Sequence, residues 1–181
     1  MEPATERLLL RLPTEADAED VLVMMRDHET VLWNPAPLVV DPQSAREWCL
    51  RGADWSDGTH ATWHAADRVT GRFVANCSVF AIDGEQSTAK IGYRVAPWAR
   101  GRGVASQVVD VVTSWAFAEL ALARMQIEHA VANVASCKVA TAAGFSWEGT
   151  MRSASVDGLG ERHDDHVHGR LASDPSAQLG R

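Results

Sequence analysis

The chain is short of cysteine, of positive charge and of long apolar runs, and each shortage closes off a class of protein. Its three cysteines, Cys49, Cys77 and Cys137, are scattered and form no Cys-x-x-Cys pair. Neither a disulfide framework nor a thiolate zinc site has the residues it needs, and the three read as buried thiols of a reducing compartment. No window approaches the ~18 apolar residues of a membrane-spanning helix, and no basic segment followed by an apolar run opens the chain. The expected location is cytoplasmic, with no membrane as partner. Against 24 Asp and Glu stand 17 Lys and Arg, a formal net charge of −7, which argues against nucleic acid as partner and suits cationic ligands such as amines. The Gly-Lys pair of a P-loop is absent, as are internal repeats and low-complexity stretches.

What is present fits one folded unit. At 181 residues and 46% hydrophobic, the chain is long enough to bury its own core. A single domain is expected over residues 1–172, with 173–181, SDPSAQLGR, as a frayed tail. The organising stretch runs from Ile91 to Phe117. Ile91, Tyr93 and Val95 alternate with Gly92, Arg94 and Ala96, a strand closed by Pro97. Val104, Val108, Val111, Val112, Trp115 and Leu122 then draw one apolar stripe at helical period.

Between strand and helix lies Trp98-Ala99-Arg100-Gly101-Arg102-Gly103-Val104-Ala105. The glycines permit positive φ and close approach to the main chain. The first amides of the helix have no partner inside it and sit at the positive end of its dipole, so loop and helix start together read as a phosphate or pyrophosphate site. A solvated turn is the plainer alternative. The dinucleotide fingerprint is a rival, because Gly101-x-Gly103 follows a strand and Glu128 lies roughly where a ribose-binding acid is expected. Against it, Ser106 stands where the third glycine or alanine belongs, and Pro97-Trp98-Ala99-Arg100 separates the strand from the glycines.

Around this centre the pattern predicts a strand over Glu6–Leu12 and a helix over Glu15–Met25. An irregular Arg26–Val40 follows, then a helix from the Asp41-Pro42 cap to Trp55. Thr59–Ala66 and Arg72–Ala81 read as a hairpin, followed by the strand ending at Pro97 and the central helix. After that helix come a strand over Arg124–Ala132, a helix over Ala135–Ala143 stopped by Gly144, and strands over Phe145–Arg152 and Arg162–Leu171. A strand-helix-strand connection needs a parallel neighbour, so the strands flanking the central helix lie parallel. The fold class is α+β: a mixed, mostly antiparallel sheet of about seven strands with about four main helices.

Arg100-x-x-Gly103-x-Ala105 resembles the Arg/Gln-x-x-Gly-x-Gly/Ala motif of the GNAT superfamily of N-acetyltransferases, and the element order is similar to that fold over residues 5–172. The best local match is to the Rim-type branch, which acetylates N-terminal amines of ribosomal proteins. Thr5-Glu6-Arg7-Leu8-x-Leu10-Arg11 resembles its opening, Gly92-Tyr93-x-Val95-x-Pro97 its core, and Asn133-x-x-Ser136 with Gly144-Phe145 and Glu148-Gly149-x-x-Arg152 its C-terminal signature.

The resemblance implies acetyl-CoA as cosubstrate. Its diphosphate would lie on the amides of Arg100, Gly101, Arg102, Gly103, Val104 and Ala105, and its pantetheine arm on Val95 and Asn133. Ser136 would meet the leaving thiolate, and Glu128 would be the base. Some members use a tyrosine as acid seven residues after the asparagine; Ala140 stands there, and the single tyrosine, Tyr93, is assigned to packing with Trp98. The acceptor is a primary amine, on a protein N-terminus or a small molecule, with Glu29 and the Trp33 region as candidate lining. Relatives often dimerise, so a homodimer is compatible. A non-catalytic acyl-CoA-binding module and, more remotely, a dinucleotide-dependent oxidoreductase are the competing functions.

Asn133 also suits a plain N-cap, and Glu128 an exposed strand position paired with Arg124 or His129. His163-Asp164-Asp165-His166-x-His168 is rich in potential ligands, but its spacing matches no zinc pattern and no metal is expected.

Overall fold

The structure, a computed structural model, describes residues 5–34 and 39–177. It contains β1 (Leu8–Arg11), α1 (Ala18–Arg26), α2 (His28–Trp33), α3 (Pro42–Ala53), β2 (His60–Asp67), β3 (Phe73–Asp83) and β4 (Thr88–Val95), then α4 (Val104–Glu119), β5 (Arg124–Ala130), α5 (Val134–Ala142), β6 (Ser146–Val156) and β7 (Arg162–Leu171). One seven-stranded sheet has the order β1-β2-β3-β4-β5-β7-β6. Among the described residues only β4 and β5 pair in parallel, as the α4 crossover between them requires. This is the expected α+β architecture.

Local signals placed most elements. Asp41 Oδ1 accepts from the Ser44 amide at 2.7 Å, with Pro42 in the first helical turn, and Gly144 adopts φ +79° just past α5. Along α4, Val104, Val108 and Val112 are buried against the sheet. Leu122 is the exception to the predicted stripe. It follows the helix, which ends at Glu119 before Ala121 takes φ +51°, yet it buries in the same core.

Two cores flank the sheet. One joins α4 and α5 to it through Leu10, Val79, Val108, Met125, Ile127 and Phe145. The other lies under α1 and α3 and includes Val21, Met24, Cys49 and Phe73.

Two departures matter. The span expected to be irregular contains α2, capped by Asp27, whose side chain accepts from the Thr30 amide; Pro35 and Pro37 lie outside the described residues. And β6 runs past Arg152 to Val156, because Ser155 and Val156 pair with His163 and Arg162. The turn that follows packs on α2, where the Gly158 amide donates to the Leu32 carbonyl at 2.7 Å. A Cβ at Gly158 would come within 2.2 Å of the Val31 carbonyl oxygen, so only glycine allows this docking.

Three histidines are enclosed: His64, His129 and His168. Burial lowers the pKa of each from the ordinary 6.5, outweighing Asp17 beside His64 and reinforced by neighbouring histidines at the other two. The folded state therefore keeps them neutral at pH values where the unfolded chain takes up protons. The contribution of these three groups should be level above about pH 6.5 and fall as the pH drops below it. Urea titrations at about pH 7.5 and about pH 5 should show a lower midpoint at the acid pH with an unchanged slope; equal midpoints would contradict neutral burial.

Candidate active site

β4 and β5 pair only over Thr88–Lys90 and Arg124–Gln126. Past that point, Ile91–Val95 keeps its ladder to β3 and Ile127–Ala130 its ladder to β7, while the facing edges have no strand partner among the described residues. Between them opens a cleft of about 1160 Å³. Parallel strands that part leave backbone donors and acceptors free for an extended ligand.

At one end of the cleft is the glycine loop. Gly101 and Gly103 adopt φ of +72° and +73°, and Gly103 is the N-cap of α4 with no side-chain hydrogen bond capping it. Its first-turn amides are thus available to an anion at the positive end of a sixteen-residue helix. Arg100, Gly101, Gly103, Val104 and Ala105 line the cleft. The Val104 side chain is buried in the core, so only its main chain can face a ligand. Arg102 is exposed and does not line the cleft.

The Arg100 guanidinium is committed elsewhere. It pairs with Asp27, donates to Thr30 Oγ1 at 3.0 Å and meets Glu29 at 3.0 Å, fastening the loop to α2. Burial would raise the Asp27 pKa, but Arg100 and the Thr30 amide outweigh it and hold the carboxyl below its ordinary value. Trp98 packs as expected: its Nε1 donates to the Phe73 carbonyl at 3.0 Å, and the Arg72 guanidinium lies 3.8 Å from its ring centroid.

Further in, Val95, Asn133 and Ser136 line the same cleft. Asn133 caps α5, its Oδ1 accepting from the Ser136 amide at 3.1 Å, so the N-cap expectation holds. Ser136 Oγ accepts from the Tyr93 hydroxyl at 3.1 Å. Burial pushes the Tyr93 pKa up to about 12, against a smaller opposing effect of the Ser136 bond, so the phenol stays a neutral donor. The assignment of Tyr93 to packing is therefore incomplete. Being the only tyrosine in the chain was the one available signal, and nothing in sequence paired it with a residue 43 positions on.

Glu128 lines the cleft on the other face of the sheet, where Lys90 Nζ donates to its Oε1 at 2.6 Å and Gln126 Nε2 to the same oxygen at 2.5 Å. Its partner is Lys90, not Arg124 or His129; Arg124 pairs with Glu148. Glu29 and Trp33 also line the cleft. The histidine run divides. His163 bonds Asp157 at 2.9 Å, whereas His166 and His168 gather with His129 and Cys137, with one ligand atom of each within 4.8 Å of the others. That second set, like His163 with Asp157 and Glu161, could hold a divalent cation.

Such a cleft can take an extended ligand along its free strand edges and an anion at its glycine loop. A family model described as acetyltransferase (GNAT) domain matches residues 7–146, and the chain belongs to that family of acetyl-transferring enzymes. It is similar to the uncharacterized N-acetyltransferase YoaA of Bacillus subtilis (strain 168), 26% identical over 165 residues covering 91% of this chain and 93% of that one. Among solved structures, the ribosomal-protein-S5-alanine acetyltransferase of Vibrio fischeri superposes with a TM-score of 0.84 at 20% identity, over 96% of this chain and 98% of that one. RimJ of Mycobacterium smegmatis, in complex with CoA-disulfide, gives 0.83 at 22%, over 94% and 85%. At these identities the structural likeness establishes the fold. No helix among the described residues is long and apolar enough to cross a membrane.

Proposed function

We infer that the protein moves the acetyl group of acetyl-CoA to a primary amine by direct attack on the thioester. The observation that carries this reading is one continuous cleft with an uncapped helix N-terminus at one end and the Tyr93–Ser136 hydroxyl pair and Glu128 further along. In this reading the amides of Arg100, Gly101, Gly103, Val104 and Ala105, rather than the Arg100 guanidinium, hold the diphosphate. The free edge of β4 at Val95 pairs with the amides of the pantetheine arm, and Asn133 adjoins it.

An amine of pKa ~8–10 is mostly protonated at neutral pH. Glu128 takes one proton, directly or through water, and the freed nitrogen attacks the carbonyl. As the tetrahedral intermediate collapses, the nitrogen loses a second proton to water and the sulfur leaves as thiolate, which takes a proton back from water. Ser136 donates a hydrogen bond to that sulfur, polarised by Tyr93 behind it. A phenol held near 12 lies well above a thiol at ~8.5, so the pair stabilises the thiolate without giving up a net proton.

Glu128→Gln should lower kcat and flatten its acid limb; an unchanged pH profile removes Glu128 from the mechanism. Ser136→Ala and Tyr93→Phe should each lower kcat by roughly 10²-fold with CoA affinity intact, and the double variant should be little worse than either. Full kcat in Ser136→Ala rejects the serine. The decisive test of the whole reading is thiol release from acetyl-CoA across a panel of amines and peptide N-termini. The Lys90–Glu128 pair would serve a non-catalytic acyl-CoA-binding module equally well, and such a module would bind CoA and release no thiol. A cytoplasmic enzyme, in which the acceptor is a protein N-terminus or a small amine and a homodimer is permitted, is the form of the proposal.

A further inference from the structure

The face of the sheet that carries Glu128 also carries a cation with no counter-ion among the described residues. Registers pair Thr62 with Ser78, Ser78 with Gly92, and Asn76 with Arg94. These side chains therefore share one face with Lys90, and Tyr93 and Val95 point to the other. Arg94 is half-buried, its Nε is removed from solvent, and it makes no hydrogen bond or ion pair among the described residues. Directly across the ladder, Asn76 is wholly buried with neither amide atom partnered.

Every other described arginine drawn out of solvent is matched by a carboxylate. Arg11 pairs with Asp17, Arg100 with Asp27, Arg124 with Glu148 and Arg170 with Asp110. Burial alone lowers the pKa of Arg94, but a guanidinium does not discharge near neutral pH. A desolvated cation without a partner is unfavourable unless something supplies the missing charge.

The surroundings indicate what supplies it. Arg94 stands between the main cleft and a smaller pocket of about 220 Å³. That pocket is lined by Arg51 and Trp48 from α3, by His60, Thr62 and Ser78, and by no carboxylate among the described residues. The Thr62 and Ser78 hydroxyls lie 2.8 Å apart; one proton bridges them and the other is free to point at a ligand. His60 is held, with one nitrogen 3.4 Å from the Arg51 carbonyl and the other 3.5 Å from Asp57. In a chain of net charge −7, a pocket with two guanidinium groups and no acid among those linings is built for an anion, and a planar guanidinium fork matches a carboxylate or phosphate.

We propose that Arg94, with Arg51 and the Thr62–Ser78 pair, binds an anionic carboxylate or phosphate carried by the acceptor, so that acceptors are amines bearing an oxyanion rather than plain alkylamines or polyamines. The assignment of the acceptor rests on the acetyl-transfer reading above; the anion site itself does not. The amine end is served by Glu128 and Glu29 in the main cleft, and the anionic end by Arg94 on the same face of β4. Net negative charge, which by itself suggests purely cationic substrates, is thereby locally reversed.

The test uses the whole protein saturated with CoA, so that the anion site at α4 is filled. Calorimetric titration with inorganic phosphate and with succinate should show at least one of them binding, and Arg94→Met should weaken that binding tenfold or more; which probe binds separates phosphate from carboxylate. Arg51→Gln, at the exposed end of α3, should weaken it threefold or more and carries the test if Arg94→Met does not fold by circular dichroism. Binding of neither anion, or equal binding by the variants, overturns the proposal.

Thiol release is then compared for O-phosphoethanolamine against ethanolamine and for glycylglycine against its amide. An anionic member should be preferred, with Arg94→Met raising its KM at least tenfold and leaving the neutral member within twofold. Equal use of both members, unmoved by the substitution, overturns the proposal while acetyl transfer stands. Anion binding lost in Arg94→Met with no thiol release from any amine leaves the site standing and removes the acetyl-transfer reading.

Discussion

Replacing Gly103 with glutamate should abolish CoA binding and leave the fold intact. Gly103 takes φ +73°, and a Cβ there would meet nothing closer than Gln107 Nε2 at 3.7 Å. The structural cost is therefore the left-handed backbone alone, about 1–2 kcal/mol, which a folded domain of ordinary stability tolerates. The functional cost is larger. A carboxylate would stand at the start of α4, beside the amides proposed to hold the diphosphate, and like charges brought together there cost several kcal/mol, at least ~10² in Kd. Gly103→Ala separates strain from charge, since it carries the backbone penalty without the negative group. Calorimetric CoA titration of both variants beside their thermal midpoints makes the comparison. CoA affinity within about threefold of wild type in the glutamate variant would reduce the loop to a turn.

Asp110→Ala should destabilise the protein by ~3 kcal/mol, near the lower limit for breaking a buried ion pair because Asp110 is partly exposed. Arg170 is only 3% exposed; it donates to Asp110 at 2.7 Å and to the Ala143 carbonyl at 2.9 Å. One side chain of β7 thus ties the helix that presents the glycine loop to the C-terminal end of the helix that presents Ser136. Removing the aspartate leaves a charged guanidinium enclosed with one carbonyl. Arg170→Met removes the charge along with its need for a partner and should cost less, an order opposite to that expected from counting lost contacts. Urea denaturation of the two variants reads the difference. An Asp110→Ala midpoint within error of wild type would mean that solvent reaches Arg170 and replaces the pair.

The parts of the site legible from sequence are those whose physics is local. Pro97 ending a strand, Asp41-Pro42 opening a helix and glycines at 101 and 103 permitting positive φ each depend on neighbours within a few positions, so the loop and its helix could be placed. The α2 helix was missed because it spans only six residues, too few to show a period; its Asp27 cap was its single local mark. The grouping of His163 with His166 and His168 failed differently. Adjacent positions on a strand face opposite ways and the turn at Gly158 carries His163 toward Asp157, so proximity in sequence did not survive the register of β6 on β7.

From its residue order alone, the chain prescribed a mixed sheet, a parallel crossover and a loop of bare amides at a helix start, because hydrophobic period, caps and turns act over a handful of residues. The partners were chosen by the folded sheet. Tyr93 meets Ser136 across 43 positions, Lys90 meets Glu128 across 38 and Arg100 meets Asp27 across 73, while Arg94 is left with none among the described residues. Strand order and register decide which side chains share a face and which charges find an opposite. Those depend on how every element packs at once, which no single stretch of sequence contains.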